Sequence, residues 1–437
     1  MTAARPTPFR VADVVEPCLE RAAKFEPWLH AFAWLDPERA RRLAREEDAR
    51  TQHGPLYGLV IGVKDIIDTA GIPTECGSPL FAGRVPERSA TIVERLERAG
   101  AIVIGKTVTS ELAYYHPGPT VNPFDPSRTP GGSSMGSAAA LASPVLEITG
   151  AIGSQTNGSV IRPAAFCGVV GFKPTYGRIP TDGVMEFAKS LDTIGTFAAD
   201  VATAGRIAAV IAGDDPVKWE APRPHAPRFA IVRTGDWERA DEYARERFDD
   251  DCEALAEAGA EVEMPEPLEE LDDTVALLRT VMAFEGARAV GPIVDRDPSR
   301  GSNEIKALIA EGRSIPEERY RDTLKRKRAL AEAYAKWSEG YDAIVTLPAA
   351  GEAPPKDTTG DPRFCTRWTF LGVPAATIQT GFGPHGLPLG LQLVGRVGGD
   401  ARLIAAAAWA HDHRGGWTGS AAVPEPYPPL RTGDPTR

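Results

Sequence analysis

The chain has 437 residues, 25% charged and 42% hydrophobic, enough for a soluble globular protein to bury a substantial core without a metal or disulfide staple. A net charge of -11 argues against a protein that grips nucleic-acid phosphates across its surface. Five scattered cysteines without CxxC spacing fit reduced thiols in a cytoplasmic protein better than a disulfide framework or a zinc site.

The first ten residues are polar, so no secretory signal is expected. Residues 11–24 carry Val14, Val15, Cys18 and Leu19 at helical spacing, and 37–49 read as a second, exposed helix. The texture then changes. Residues 56–63 predict a buried strand, 90–99 a helix and 101–104 a β-branched strand, the rhythm of an α/β sheet. Residues 131–181 are rich in small residues and poor in charge, with enough apolar content to predict tight packing. From 201 to 340 the chain is charged and helical. Strands are expected at 229–232 and near Val262, and helices ending near Leu255 and spanning 273–290 and 316–337. Buried strands return at 343–347, 375–379 and 389–394. The apolar run 403–410 falls far short of the roughly 20 residues of a membrane span, and the tail after Gly415 reads as irregular. The acidic runs Glu46-Glu47-Asp48 and Asp249-Asp250-Asp251 read as solvated helix faces.

Two phosphate-type motifs fail on physical grounds. Gly100 to Thr107 fits the P-loop pattern, but Ala101, Ile102, Val103 and Ile104 prefer an extended strand to a loop curled round a phosphate. Gly381-Phe-Gly-Pro-His-Gly386 fits a dinucleotide fingerprint, yet Pro384 and Pro388 and a following strand predict a hairpin turn. His411 and His413 lack the carboxylate or thiol company of a metal site.

Three segments carry chemistry together. Gly62-Val63-Lys64-Asp65-Ile66 ends an apolar strand, where alternation sets Lys64 and Asp65 on opposite faces. An inward lysine there is costly if charged and alone. Thr129-Pro-Gly-Gly-Ser133-Ser134-Met-Gly-Ser137 has glycines that permit close approach, followed by an Ala-rich run that predicts a helix start. Gly153-Ser-Gln-Thr156-Asn157-Gly158-Ser159-Val-Ile-Arg-Pro163 is a small-residue turn whose free amides can hold an oxyanion. Each segment alone also fits a plainer part: a strand-end lysine reaching solvent, a flexible linker, a helix cap.

Taken together, with Pro163 to Thr175, Ser190-Leu-Asp-Thr-Ile-Gly195 and Gly386 to Gly395, they resemble the amidase-signature enzymes. The resemblance implies an α/β fold with a mixed β-sheet core covered by helices on both faces, as one domain over 1–437. Its core lies at about 54–200 and 341–410, with a more variable helical lobe at 201–340. It implies Ser159 as nucleophile, Ser133 as a bridging serine behind a cis peptide bond, Lys64 as base, and the amides of Thr156, Asn157, Gly158 and Ser159 as oxyanion hole. The activity expected is hydrolysis of amide or carbamate C–N bonds of small molecules. No cofactor or metal, no nucleic acid and no membrane is expected as partner, and a homodimer is left open. The alternatives are an amidotransferase subunit that passes ammonia to a partner, or an inactive binding protein on the same scaffold. Asn157 stands where Gly or Ala is expected, and the stretch from Ser133 to Ser159 is slightly longer than usual. Tyr115, Met185, Phe187, Phe364 and Trp368 are candidate pocket residues, with Tyr114 and Phe370 beside them.

Overall fold

The computed structural model describes residues 9–142, 146, 148–220 and 226–415. Eleven strands form one mixed sheet: β1 (Phe32–Leu35), β2 (Val60–Lys64), β3 (Ile102–Thr107), β4 (Gly150–Gln155), β5 (Val170–Lys173), β6 (Thr193–Ala198), β7 (Arg228–Ile231), β8 (Glu261–Glu263), β9 (Ala343–Thr346), β10 (Ala375–Phe382) and β11 (Pro388–Val394). Their order is β1-β3-β2-β4-β6-β5-β10-β11-β9-β7-β8. β2 runs parallel to both β3 and β4, whereas β4 and β6 are antiparallel with Gln155 opposite Thr193.

Period-2 alternation feeds two separate cores. Val60, Ile102, Ile104 and Ala151 pack with the helices Ala12–Leu29 and Pro37–Asp48. Their neighbours Ile61, Val63, Val103 and Ile152 pack into the larger core on the other face, under helices such as Thr91–Arg98, Val201–Ala212 and Asp400–Ala410. A strand apolar on both faces is buried on both, which is why β2 and β3 read as near-continuous apolar runs. The expected architecture is therefore found.

Several expectations shift. The strand expected over 56–63 begins only at Val60, and that over 101–104 continues to Thr107. Gly100 to Thr107 is thus a turn and a buried strand, and Gly381 to Gly386 lies in the β10–β11 hairpin. The mainly helical segment 201–340 also contributes β7 and β8, which extend the common sheet through the parallel pairing of β7 with β9. Sequence periodicity missed the helix Asn303–Ser314, capped by the Ser302 hydroxyl. The acidic runs are not simply solvated. Asp48 accepts the Val11 amide at 2.7 Å, and buried Asp251 pairs with Arg247 and Arg414 at 2.9 and 2.7 Å. His413 stacks on Trp409. Among the described residues no helix is long and apolar enough to cross a membrane, and no cluster of His, Cys, Asp or Glu is arranged to hold a metal. The tail expected to be irregular lies outside the described residues.

Candidate active site

β2 delivers Lys64 into the interior between two parallel neighbours, and its side chain is fully buried. Its Nζ lies 2.7 Å from Ser133 Oγ and 2.9 Å from Ser154 Oγ. Burial pulls its titration down to about 7, opposed by the Asp192 carboxylate. Asp65 points elsewhere: it meets Lys106 Nζ at 3.3 Å and accepts the Glu75 amide at 3.0 Å. Lys106 also donates to Thr74 Oγ1 at 2.6 Å. The carboxylate beside Lys64 in sequence is therefore occupied by another lysine, and alternation separates the two as expected.

Ser133 follows a cis peptide bond from Gly132. Arg162, also buried, donates from Nη2 to the Gly132 carbonyl at 2.6 Å and from Nε to the Thr359 carbonyl at 2.8 Å. Gly131 has φ +81°, and a Cβ there would sit 2.7 Å from Pro163 Cα. The Ser133 turn is thus pressed against the chain just beyond Ser159. Ser134 braces β4, its hydroxyl donating to the Ser154 carbonyl at 3.2 Å. The Ala-rich run after it starts a helix as expected, Met135–Ala139. Part of the connection onward to β4, residues 143–145 and 147, lies outside the described residues.

β4 ends at Gln155 and the chain turns through Thr156 to Ser159 into the helix Ile161–Phe166. Gln155 Oε1 accepts the amides of Val160 and Ile161 at 2.7 and 3.0 Å. Asn157 is held by the helix Arg363–Leu371: Thr366 Oγ1 donates to its side chain at 2.6 Å and Thr369 Oγ1 to its carbonyl at 2.5 Å. Tyr115 accepts from Asn157 Nδ2 at 3.4 Å. The amides of Asn157, Gly158 and Ser159 donate to no described residue. Ser159 is almost buried, and its hydroxyl makes no hydrogen bond to a described residue.

A cavity of about 270 Å³ opens beside this loop, with Ser154, Thr156 and Asp192 among its polar lining and Ile66, Ile179, Met185, Phe187 and Ile194 among its apolar lining. The exposed Glu186 and Lys189 lie on its solvent side. Of the expected pocket residues, Met185 and Phe187 line it. Tyr115 sits by Asn157 instead, and Tyr114 stacks on Phe187 with centroids 5.5 Å apart. Phe364, Trp368 and Phe370 do not line this cavity; all three are buried in the core, with Trp368 against Tyr334. An aromatic on an amphipathic helix packs inward by the same area rule whether or not a pocket is near. Sequence reasoning assigned no part to Ser154, Arg162 or Asp192. The signal for Arg162 was present, since it is the one charged residue between Gly153 and Phe172.

A family model described as Amidase matches residues 13–404. The chain belongs to the amidase family. A crystal structure of an amidase superposes with a TM-score of 0.85 at 30% identity, over 93% of this chain and 97% of that one. The peptide amidase of Stenotrophomonas maltophilia superposes at 0.80 with 27% identity, over 93% and 94%. One component of the glutamyl-tRNA(Gln) amidotransferase of Chloroflexus aggregans is 35% identical over 451 residues, covering 90% of this chain and 91% of its own. This amidase is accordingly an enzyme acting on amide C–N bonds.

Proposed function

We propose that this amidase hydrolyses amide or carbamate C–N bonds of small molecules through an acyl-enzyme on Ser159, with Ser133 as relay and Lys64 as base. The observation that carries the reading is a fully buried amine 2.7 Å from the Ser133 hydroxyl with its sequence-neighbour carboxylate paired elsewhere. A serine hydroxyl is a weak nucleophile until a base takes its proton. An ordinary lysine, titrating near 10.4, is protonated at neutral pH and useless for this. Burial brings Lys64 to about 7, so a large fraction is neutral at neutral pH.

The substrate carbonyl lies against Ser159, its oxygen toward the amides of Thr156, Asn157, Gly158 and Ser159. Ser159 Oγ attacks the carbonyl carbon. Its proton passes to Ser133 Oγ, whose own proton passes to Lys64 Nζ. The tetrahedral oxyanion is held by backbone donors, each worth about 3–4 kcal/mol where such donors have been removed one at a time. Collapse breaks the C–N bond, and the proton returns through Ser133 to the departing nitrogen. Water then attacks the acyl-enzyme by the same relay in reverse. A carbamate gives an amine and a carbonate half-ester, which loses CO₂ to leave an alcohol. Catalytic hydrogen bonds missing in the free enzyme tighten with substrate bound, and the free Ser159 hydroxyl is in keeping with that.

The test is amine release from a panel of aryl amides and aryl carbamates. The parent should release amine, and Ser159→Ala and Lys64→Ala should each lose about 10³-fold or more in kcat while remaining folded. Near-parent rates in either variant would refute the roles given to these residues.

The 35% identity to an amidotransferase component favours a second reading, in which the same acyl chemistry acts on glutamine and ammonia leaves to a partner. Glutamine in the same panel, with gel filtration of the purified protein, separates the two. Ammonia release from glutamine together with stable association with a different protein supports the amidotransferase. Aryl amine release by the chain alone, as monomer or homodimer, supports the stand-alone hydrolase.

A further inference from the structure

The antiparallel register of β4 and β6 ends on Gln155 opposite Thr193. One step beyond it, Thr156 faces Asp192. Thr156 Oγ1 donates to Asp192 Oδ1 at 2.6 Å, a short, charge-assisted bond. Asp192 Oδ2 accepts the amides of Phe187 and Ala188 at 2.8 and 2.9 Å. Phe187 lines the cavity, as do Thr156 and Asp192 themselves. One carboxylate thus joins the cavity wall to the first residue of the loop whose amides face the reaction.

The rest of that loop is fastened from other directions. Thr366 and Thr369 hold Asn157, and Gln155 holds the amides beyond Ser159. At the cavity end, Asp192 is the side-chain partner that Thr156 has among the described residues. We infer that Asp192 is a positioning residue of the hydrolysis: through the Thr156 hydroxyl it fixes the cavity end of the oxyanion loop in register with the wall against which the substrate lies. The inference rests on the roles proposed for Ser159 and its loop. It adds that wall and loop are one mechanical unit, so that the loop amides keep their aim while the cavity fills. Oxyanion donors act only if they are held within about 0.5 Å of the productive position.

The experiment compares Thr156→Val, Thr156→Ser, Asp192→Asn and the Thr156→Val/Asp192→Asn double variant on one aryl amide or carbamate that the parent hydrolyses. Val keeps the shape of Thr and removes the donor; Ser keeps the donor and removes the methyl. Thr156→Val should lower kcat about ten- to hundred-fold with KM within about three-fold, since the interaction matters most in the transition state. Thr156→Ser should recover most of that loss. The double variant should be no slower than the slower single variant, because both singles act on the same Thr156–Asp192 link, one by removing its donor and the other by taking the charge from its acceptor. Two results would overturn the inference: Thr156→Val turning over within about two-fold of the parent, or Val and Ser losing rate equally, which would mark a packing role. The Thr156 pair decides the matter even if Asp192→Asn fails to fold. Ser159→Ala on the same substrate keeps the two claims apart. An active Ser159→Ala defeats the nucleophile assignment, whereas an inactive Ser159→Ala beside an unimpaired Thr156→Val defeats only the role given to Asp192.

Discussion

Lys64 and Lys106 stand on neighbouring parallel strands, one register position apart, since Val63 pairs with Lys106 and Lys64 with Thr107. Both are fully buried, and burial lowers the titration of each. Their surroundings differ in one respect. Lys106 has the Asp65 carboxylate at 3.3 Å, while Lys64 has two hydroxyls. For Lys64 the unfolded chain binds the proton more tightly than the folded one between about 7 and about 10.4, so its contribution to stability rises with pH across that window. At pH 7 and below nearly the full cost, about 4–5 kcal/mol, is present. Lys64→Met should therefore stabilise the protein at pH 7 by about 2 kcal/mol, after the lost bonds to Ser133 and Ser154 are set against the relieved burial, and by less at pH 10. Lys106→Met should instead destabilise it by about 3–5 kcal/mol, because Asp65 is left buried and unpaired. Urea midpoints of the two variants at pH 7 check this; the reverse order would show that Lys64 is not held against its own titration.

At the scale of elements, the site is made by segments that violate ordinary propensity. β4 is Gly-Ala-Ile-Gly-Ser-Gln, which reads poorly as a strand, and sequence periodicity did not identify it. It forms because its neighbours come too close for side chains. A Cβ on Gly153 would lie 2.6 Å from Ser134 Oγ, and one on Gly150 would lie 2.5 Å from Ile207 Cδ1. Small residues let the Ser133 turn and β4 touch, which brings Ser154 within reach of Lys64. Gly131 joins a left-handed backbone to a close approach, with φ +81° and Pro163 backbone 2.7 Å from any added Cβ. Gly131→Ala should cost more than the roughly 1–3 kcal/mol of local strain alone and lower kcat as well. Gly398→Ala has the same kind of φ, +75°, but nothing within 4 Å; it should show the strain cost alone, with activity kept. Thermal melts beside rate assays compare them, and equal effects in the two variants would contradict the close-joint account.

At the scale of the whole molecule, the sheet works as a frame that carries residues far apart in sequence to one edge-on meeting. Lys64 and Ser133 are 69 residues apart, Lys64 and Ser154 90, and Arg162 reaches Thr359 across 197. Legibility in the sequence follows from this. Lys64, Ser133 and Ser159 stood out because their three segments together resemble the amidase-signature enzymes, whereas each segment alone also fits a plainer part. The sheet class was legible from strands buried on both faces. Asp192 and Ser154 were not assigned, because their meaning lies in partners that register supplies and local pattern does not. Phe364 and Trp368 lie away from that cavity, since burial in a core and burial around a ligand leave the same mark on a sequence. The helix Asn303–Ser314 was passed over although its signal was present: its buried residues Ile305, Leu308, Ile309 and Gly312 stand at helical spacing behind the Ser302 cap.

The most direct test of the account is the rate at which a fluorophosphonate forms its adduct, followed by intact mass and peptide mapping from pH 5 to pH 9. A neutral Lys64 acting through Ser133 predicts a single adduct on Ser159. Its formation should rise about ten-fold per pH unit below about 7 and level off above it, and should be lost in Lys64→Ala. An adduct on another residue, or a Ser159 adduct whose rate ignores pH through 7, would contradict it.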